Sequence, residues 1–404
     1  MPSLVLSPLK AWFLGNKAAT GSNLKRILLL DGGVSTHLED LLLQQQGSAS
    51  PPPINNIGCC STNHNGGETG GRGGPETPAP PTFQYRELWS SSLLLNGKAG
   101  REKILQGHKD WLAAGADCLS TVTYQCHYER ELWPQHLRSD AADASTMDQM
   151  IQDGVELAQE AVSYHHLANT RPAFCVASLG CYGAALANGA EYTGDYGTDV
   201  TMDRLVQFYQ RKLKAHAVSR PDGVALETVP SHLECEALAK LLNTSEWQDS
   251  PMACWLSLAC RNGTQLNDGT PLQTVLETLH QIPVSSLQAV GFNCFDSVHL
   301  PELVQTLVVD MATNGPARGI VLYPNSGEEW DATTAHWKDG TGCTVAEELA
   351  LRLITATALI EDTWNEMRPN EPPPRIVLGG CCRTRPATIA CLRKLVDDHL
   401  AAKE

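Results

Sequence analysis

Short apolar runs rich in β-branched residues, each ended by Gly, Pro or polar residues, alternate along the chain with longer segments of helical period. Eight such runs predict strands: RILLL (26–30), DCLSTVT (117–123), FCVAS (174–178), GVALET (223–228), ACWLSLA (253–259), LQAVGFN (287–293), GIVLY (319–323) and RIVLGG (375–380). Helical periods fall over 86–114 in two pieces, 148–168, 201–218, 231–242, 271–280, 298–312, 345–367 and 386–402. Ser231 and Glu234 have the spacing of a capping box, in which each side chain satisfies the other residue's backbone N–H. Eight strands each followed by a helix predict an α/β protein built as a single (β/α)8 TIM barrel. A doubly wound sheet is the weaker reading, because it usually has fewer strands and a switch point.

Length alone, 404 residues, would suggest two or three domains, but α/β barrels of this size form one unit. We expect an N-terminal extension over 1–24 and the barrel over 25–402. With 42% hydrophobic and 19% charged residues the chain can bury a large core, which excludes wholesale disorder. One stretch, 44–82, departs from this pattern: fifteen of its 39 residues are Gly or Pro, and it is expected to be a disordered insert after strand 1. Cys59, Cys60 and His64 lie in it, where each would have to be ordered before it could bind a metal.

The net charge is −15 and no Lys/Arg cluster is long enough to follow a phosphate backbone, which argues against a nucleic-acid partner. No run of about 18 apolar residues exists, so no membrane span is expected. The opening MPSLVLSPLKAWFLGNKAAT lacks acids, but Lys10 interrupts its apolar stretch and no small-residue cleavage site follows. Most of the 14 cysteines sit inside apolar stretches of a large chain, unlike the framework of a small secreted scaffold. Reduced thiols and a cytoplasmic location are the expectation. The sequence leaves the oligomeric state open.

In a barrel of this kind chemistry collects where strands end, which directs attention to DGG (31–33), TYQC (123–126), Glu227 with Thr228, Asn293 with Cys294, and GGCC (379–382). Adjacent strand residues face opposite sides, so Cys381 and Cys382 can aim at one point only where the backbone has left the strand. Gly379 and Gly380 are expected to allow that through unusual backbone angles. Cys294 ends another strand and would reach the same rim. Three thiolates suit zinc, and a missing fourth protein ligand distinguishes a catalytic from a structural site. The bland alternative is packing: Cys175, Cys254 and Cys391 read as small hydrophobes.

With these motifs in hand, the chain resembles the homocysteine S-methyltransferases, a zinc-dependent family. The likeness rests on DGGVSTHLE (31–39), HKDWLAAGAD (108–117), TVTYQ (121–125), SLGCYGAALANGAEYTGDY (178–196), ALETVPS (225–231), GFNC (291–294), YPNSGEEWD (323–331) and GGCCRT (379–384). It spans nearly the whole chain outside the first ~25 residues and the insert. Cys181 departs from it, since many relatives have Pro there.

The resemblance implies a (β/α)8 barrel and a Zn2+ ion held by Cys294, Cys381 and Cys382. It also implies a homocysteine amino group held by Asp31 and Glu227, and a substrate carboxylate met by the backbone at Gly32 and Gly33; Asn293 joins the substrate-binding set. Asp31 could instead be an ordinary turn acid before Gly-Gly. The implied reaction is methyl transfer from S-methylmethionine or S-adenosylmethionine to L-homocysteine, giving methionine. Without a Rossmann-type signature, S-adenosylmethionine would have to enter as a substrate at the barrel mouth. Tyr124, Tyr323 and Trp330 are candidate walls for a sulfonium donor, packing being the alternative for each. A betaine-type donor, a selenocysteine-type acceptor and a noncatalytic zinc- or thiol-binding barrel are the competing readings.

Overall fold

Residues 5–16, 24–45, 88–138, 144–168, 171–328, 330–331, 336–337 and 341–403 are described by the computed structural model. The insert 44–82, with Cys59, Cys60 and His64, therefore lies outside the described residues except for its first two positions.

Eight parallel strands form the barrel: β1 (Ile27–Leu29), β2 (Cys118–Ser120), β3 (Phe174–Gly180), β4 (Gly223–Val229), β5 (Ala253–Leu258), β6 (Ala289–Asp296), β7 (Gly319–Asn325) and β10 (Ile376–Leu378). They pair in the order β1-β10-β7-β6-β5-β4-β3-β2. A parallel bridge between Leu30 and Cys118 joins the two ends of this order, closing the ring. The remaining strands, β8 (Trp330–Asp331) and β9 (His336–Trp337), form a separate hairpin between β7 and β10. All eight expected strands are present. DCLSTVT is shortened to three residues: the Thr121 N–H still reaches the Val176 carbonyl at 3.0 Å, and beyond it the Thr121 and Thr123 hydroxyls bond each other and the Ser178 carbonyl in place of further strand pairing.

Strand alternation divides the apolar residues in two. Leu28, Leu30, Val176, Ala225, Trp255, Ala289, Val321 and Val377 pack together inside the ring. Ile27, Leu29, Val224, Leu226, Leu256, Val290, Ile320 and Ile376 pack outward in the larger cluster with the helices. Both faces are covered, so the strands read in the sequence as continuous apolar runs.

The expected helices are observed with small shifts of their ends, 148–168 starting earlier as Ala144–Ala168 and 86–114 splitting into a 3-10 turn, Trp89–Leu95, and the helix Gly97–Ala114. Among the described residues four α-helices add to the expectation: Pro8–Phe13, Val34–Gln45, Tyr182–Leu186 and the single turn Ser245–Gln248. Ser7 caps the first, its hydroxyl accepting from the Lys10 N–H at 3.1 Å and donating to the Asp222 carbonyl at 2.6 Å. That helix lies across the N-terminal end of the barrel. Leu9 and Trp12 are fully buried in the inner cluster, and Phe13 meets Trp255 edge-on with ring centroids 6.4 Å apart.

The capping-box expectation holds by half. Ser231 accepts from the Glu234 N–H at 3.4 Å, but the Glu234 carboxylate does not reach back. Fully buried, it accepts from the Tyr182 N–H at 2.7 Å and from the hydroxyls of Tyr196 and Tyr209 at 2.6 and 2.8 Å. A buried carboxylate needs that many donors, and here they fasten the long loop after β3 to the barrel.

Candidate active site

Carrying each strand's inward parity one step beyond the apolar floor gives Ser120, Ser178, Glu227, Ser257, Asn293 and Tyr323. Together with Asp31, these make the polar layer at the C-terminal end of the strands. They line, with the cysteines, a cavity of about 760 Å³ including its open mouth, except Ser257, which lies behind Tyr323.

Asp31 is 1% exposed; one carboxylate oxygen accepts from the Ser120 N–H at 2.6 Å and the other from the Ser120 hydroxyl at 2.9 Å. Burial pushes its carboxyl well above the ordinary range, Ser120 opposes this, and Glu227 and Cys381 add to the rise. Glu227 accepts from the Ser178 hydroxyl. Burial lifts its carboxyl to about 7, against the pull of Ser178 and Tyr323. The buried Lys212 ammonium, bonded to the Gly180 carbonyl at 2.8 Å, also pulls the Glu227 carboxyl down, but less than burial lifts it. Two buried acids with few donors make a pocket that favours a positively charged guest.

Two strand ends are distorted where site residues emerge. Thr228 and Cys294 hold φ of +61° and +54°, and the β4–β5 and β6–β7 registers shift beside them. Such bulges re-aim side chains at barrel rims. Asn293 holds the first in place, its Oδ1 accepting from the Thr228 N–H at 2.7 Å and its Nδ2 donating to the Thr228 hydroxyl at 2.8 Å. It also hydrogen-bonds the Cys381 sulfur.

The three cysteine sulfurs of residues 294, 381 and 382 all lie within 4.8 Å of one another, with 3.8 Å between Cys294 and Cys382. Hydrogen bonds from Cys294 and Cys382 hold the Cys381 thiol well below its ordinary value. Tetrahedral zinc with Zn–S bonds near 2.3 Å requires S···S separations of about 3.8 Å, so the donor set fits. By contrast Cys175 and Cys254 are buried thiols pushed upward by desolvation, and Cys391 packs half-buried against the core.

The route to this cluster differs from expectation in one respect. Neither Gly379 nor Gly380 has a positive φ; the left-handed residue is Arg383, at +66°. Glycine is needed there for space, since a Cβ on Gly380 would stand 2.2 Å from the Thr384 hydroxyl and one on Gly379 2.7 Å from the Asp31 carbonyl. Gly33 is equally confined, 2.6 Å from the Cys381 carbonyl, and a Cβ on Gly32 would meet the Trp111 ring at 2.6 Å. Thr384 joins the two loops: its hydroxyl accepts from the Gly33 N–H at 2.8 Å and donates to the Cys381 carbonyl at 2.7 Å. The Gly33 N–H, expected on a substrate carboxylate, is thus on Thr384 in this structure.

Tyr124 lines the cavity, its phenol bonded to the Thr228 side chain. Tyr323 shares hydrogen bonds with Ser257 at 2.5 Å and Trp255 at 3.3 Å, so it is both wall and core. Trp330 lies in β8, and its side chain is outside the described residues. Sequence reasoning missed Ser120, Ser178, Thr384 and Glu191; strand parity would have found the two serines.

The family model for homocysteine S-methyltransferase matches residues 28–396. The chain belongs to that family. As a member it is an enzyme of the methyltransferase class. Homocysteine S-methyltransferase 4 of Zea mays is 30% identical over 332 residues, covering 80% of this chain and 87% of the relative. Homocysteine S-methyltransferase YbgG of Bacillus subtilis (strain 168) is 31% identical over 303 residues, covering 75% and 85%. The metallated form of the homocysteine methyltransferase MmuM from Escherichia coli superposes with a TM-score of 0.63 at 26% identity, covering 96% of this chain and 99% of that one. Family members act on small molecules, and among the described residues no helix is long and apolar enough to cross a membrane.

Proposed function

We propose that this enzyme transfers a methyl group from S-methylmethionine or S-adenosylmethionine to L-homocysteine, forming methionine, with zinc held by Cys294, Cys381 and Cys382. The observation that carries the reading is the meeting of two features in one cavity: three convergent thiols, and a pair of buried acids, Asp31 and Glu227. The unit concerned is the barrel, residues 25–402. The twelve cysteines of the described residues are joined in no disulfide there, which supports a reducing, cytoplasmic location.

Asp31 and Glu227 take the homocysteine ammonium, which relieves their mutual repulsion and burial. Gly32, held close by Trp111, brings backbone to the substrate carboxylate, and Asn293 keeps the Thr228 bulge and the Cys381 sulfur in register. Anchored at that end, the acceptor directs its sulfur toward the cysteines. Zinc bound there would lower the pKa of the acceptor thiol, which near 8.5 is otherwise mostly protonated at neutral pH. The acceptor thiol proton leaves to solvent. The acceptor sulfur's electron pair then forms a bond to the methyl carbon as the donor's S–CH3 bond breaks, its electron pair returning to a donor sulfur that becomes neutral.

The test is metal content together with methionine formation by purified protein given homocysteine and, separately, S-methylmethionine, S-adenosylmethionine or betaine. About one zinc per chain with turnover on a sulfonium donor is expected. Turnover on betaine alone would move the donor assignment, and metal without turnover on any donor would favour a noncatalytic thiol-binding barrel. A relative named Selenocysteine Se-methyltransferase, from Brassica oleracea var. italica, is 30% identical over 317 residues, covering 76% of this chain and 82% of the relative. This favours measuring selenocysteine as a competing acceptor in the same assay.

A further inference from the structure

Homocysteine and the metal account for Asp31, Glu227 and the three cysteines, and leave one acid of the cavity without a task. Glu191 sits in the 3-10 turn Ala190–Tyr192 on the loop after β3 and lines the same cavity. Its backbone is clamped from two sides. The Asn267 amide, from the loop after β5, donates to the Glu191 carbonyl at 2.9 Å. On the other side the turn lies against the helix Tyr182–Leu186 so closely that a Cβ on Gly183 would come within 2.5 Å of the Glu191 nitrogen.

Despite this fixed position, the Glu191 Oε2 is buried with no hydrogen-bond partner among the described residues, although the carboxylate takes a hydrogen bond from its own backbone N–H. Burial raises its carboxyl to about 7. Tyr124 lines the same cavity, its phenol feeling both the Glu191 and the Cys294 charge. Trp89 and Tyr192 line the cavity nearby. A rigidly held carboxylate in an aromatic-walled cavity, with one oxygen buried and unpaired, is a site whose partner comes with the ligand.

We propose that Glu191 is the counter-charge for the sulfonium of the methyl donor, and that it makes the enzyme select a positively charged methyl donor over a neutral one. This rests on the function proposed above and adds the residue that recognises the donor. It also gives the reaction a release step: once the methyl group has gone the donor sulfur is neutral, and its attraction to Glu191 is lost.

The test compares wild type, E191Q and E191D, each zinc-loaded. Calorimetry without homocysteine uses two dead-end probes of one shape, 4-(trimethylammonio)butyrate and its carbon isostere 5,5-dimethylhexanoate, which keeps the carboxylate and lacks the cationic head. Wild type is expected to prefer the cation by at least about tenfold, equivalent to about 1.4 kcal/mol. E191Q should lose that preference and E191D keep part of it, while homocysteine affinity stays within about twofold in all three. In turnover, E191Q should raise the KM for S-methylmethionine at least about tenfold with less change in kcat and none in the KM for homocysteine.

An E191Q protein that still prefers the cation overturns the proposal, as does one that loses donor and homocysteine together, which would mark a structural role. A wild type with a Glu191-dependent cation preference but no methionine formation would leave the assignment of Glu191 standing and overturn the function. A wild type that binds neither probe and turns over no sulfonium overturns both.

Discussion

Replacing Glu227 with Gln should make the empty protein more stable while ruining it as an enzyme. Burial, the largest influence on this carboxyl, raises it from 4.5 to about 7 in the folded state. Linkage fixes the sign: between pH 4.5 and 7 the folded protein holds a proton that the unfolded chain has released, so stability falls as pH rises through that window. Two and a half pH steps at 1.36 kcal/mol each come to about 3 kcal/mol, present in full as a penalty above pH 7 and mostly absent at pH 5. A Gln of the same shape carries no charge, and the hydroxyls of Ser178 and Tyr323 can turn to suit it. Removing the charge also relieves Asp31, whose carboxyl Glu227 helps to raise. Urea unfolding of metal-free wild type and E227Q at pH 5 and pH 8 is therefore expected to diverge, with E227Q ahead by up to about 3 kcal/mol at pH 8 and by less than about 1 kcal/mol at pH 5. Homocysteine binding should be lost in the same variant. A stability difference that does not change between the two pH values would refute the argument that a buried charge at this position is what costs stability.

Thr384→Val keeps the side-chain shape but leaves the buried Gly33 N–H without its acceptor, and a loss of about 1–3 kcal/mol in urea unfolding is expected, with weaker metal retention because the Cys381 carbonyl loses its tie. Cys381→Ser should abolish zinc retention, measured by elemental analysis, with far-UV circular dichroism unchanged, since the metal is not the source of the fold. Trp12→Ala removes a fully buried indole from the floor of the barrel and should cost about 3–5 kcal/mol by thermal or urea unfolding, with little change in the KM for either substrate.

The strands were the most legible part of the fold because both faces of each are covered, which forces apolar residues at successive positions. The helix Val34–Gln45 was not, since its core-facing Leu38, Leu41 and Leu42 run directly into glutamines and the Gly- and Pro-rich insert. Glu234 misled for a related reason: capping boxes are local patterns, and the groups that claimed its carboxylate come from Tyr182, Tyr196 and Tyr209, distant in sequence. At the site, paired cysteines after paired glycines cannot be read as strand, so the cluster was visible. Ser120 and Ser178 are ordinary residues whose meaning appears only when inward parity is followed to the strand end. Glu191 reaches the cavity through a loop that folds over the rim, and no periodicity reports such a fold-back.

The helix Pro8–Phe13 closes the barrel from below, with Leu9 and Trp12 filling the space between the strand starts. Among the described residues the cavity is consequently closed from below and opens at the C-terminal end of the strands. Asp31 and Glu227 lie at its bottom, and the half-buried cysteines and Glu191 lie nearer the mouth. On the function proposed above, the amino acid held at the bottom is expected to enter first and, as methylated product, to depart last, with the spent donor, nearer the exit, leaving ahead of it.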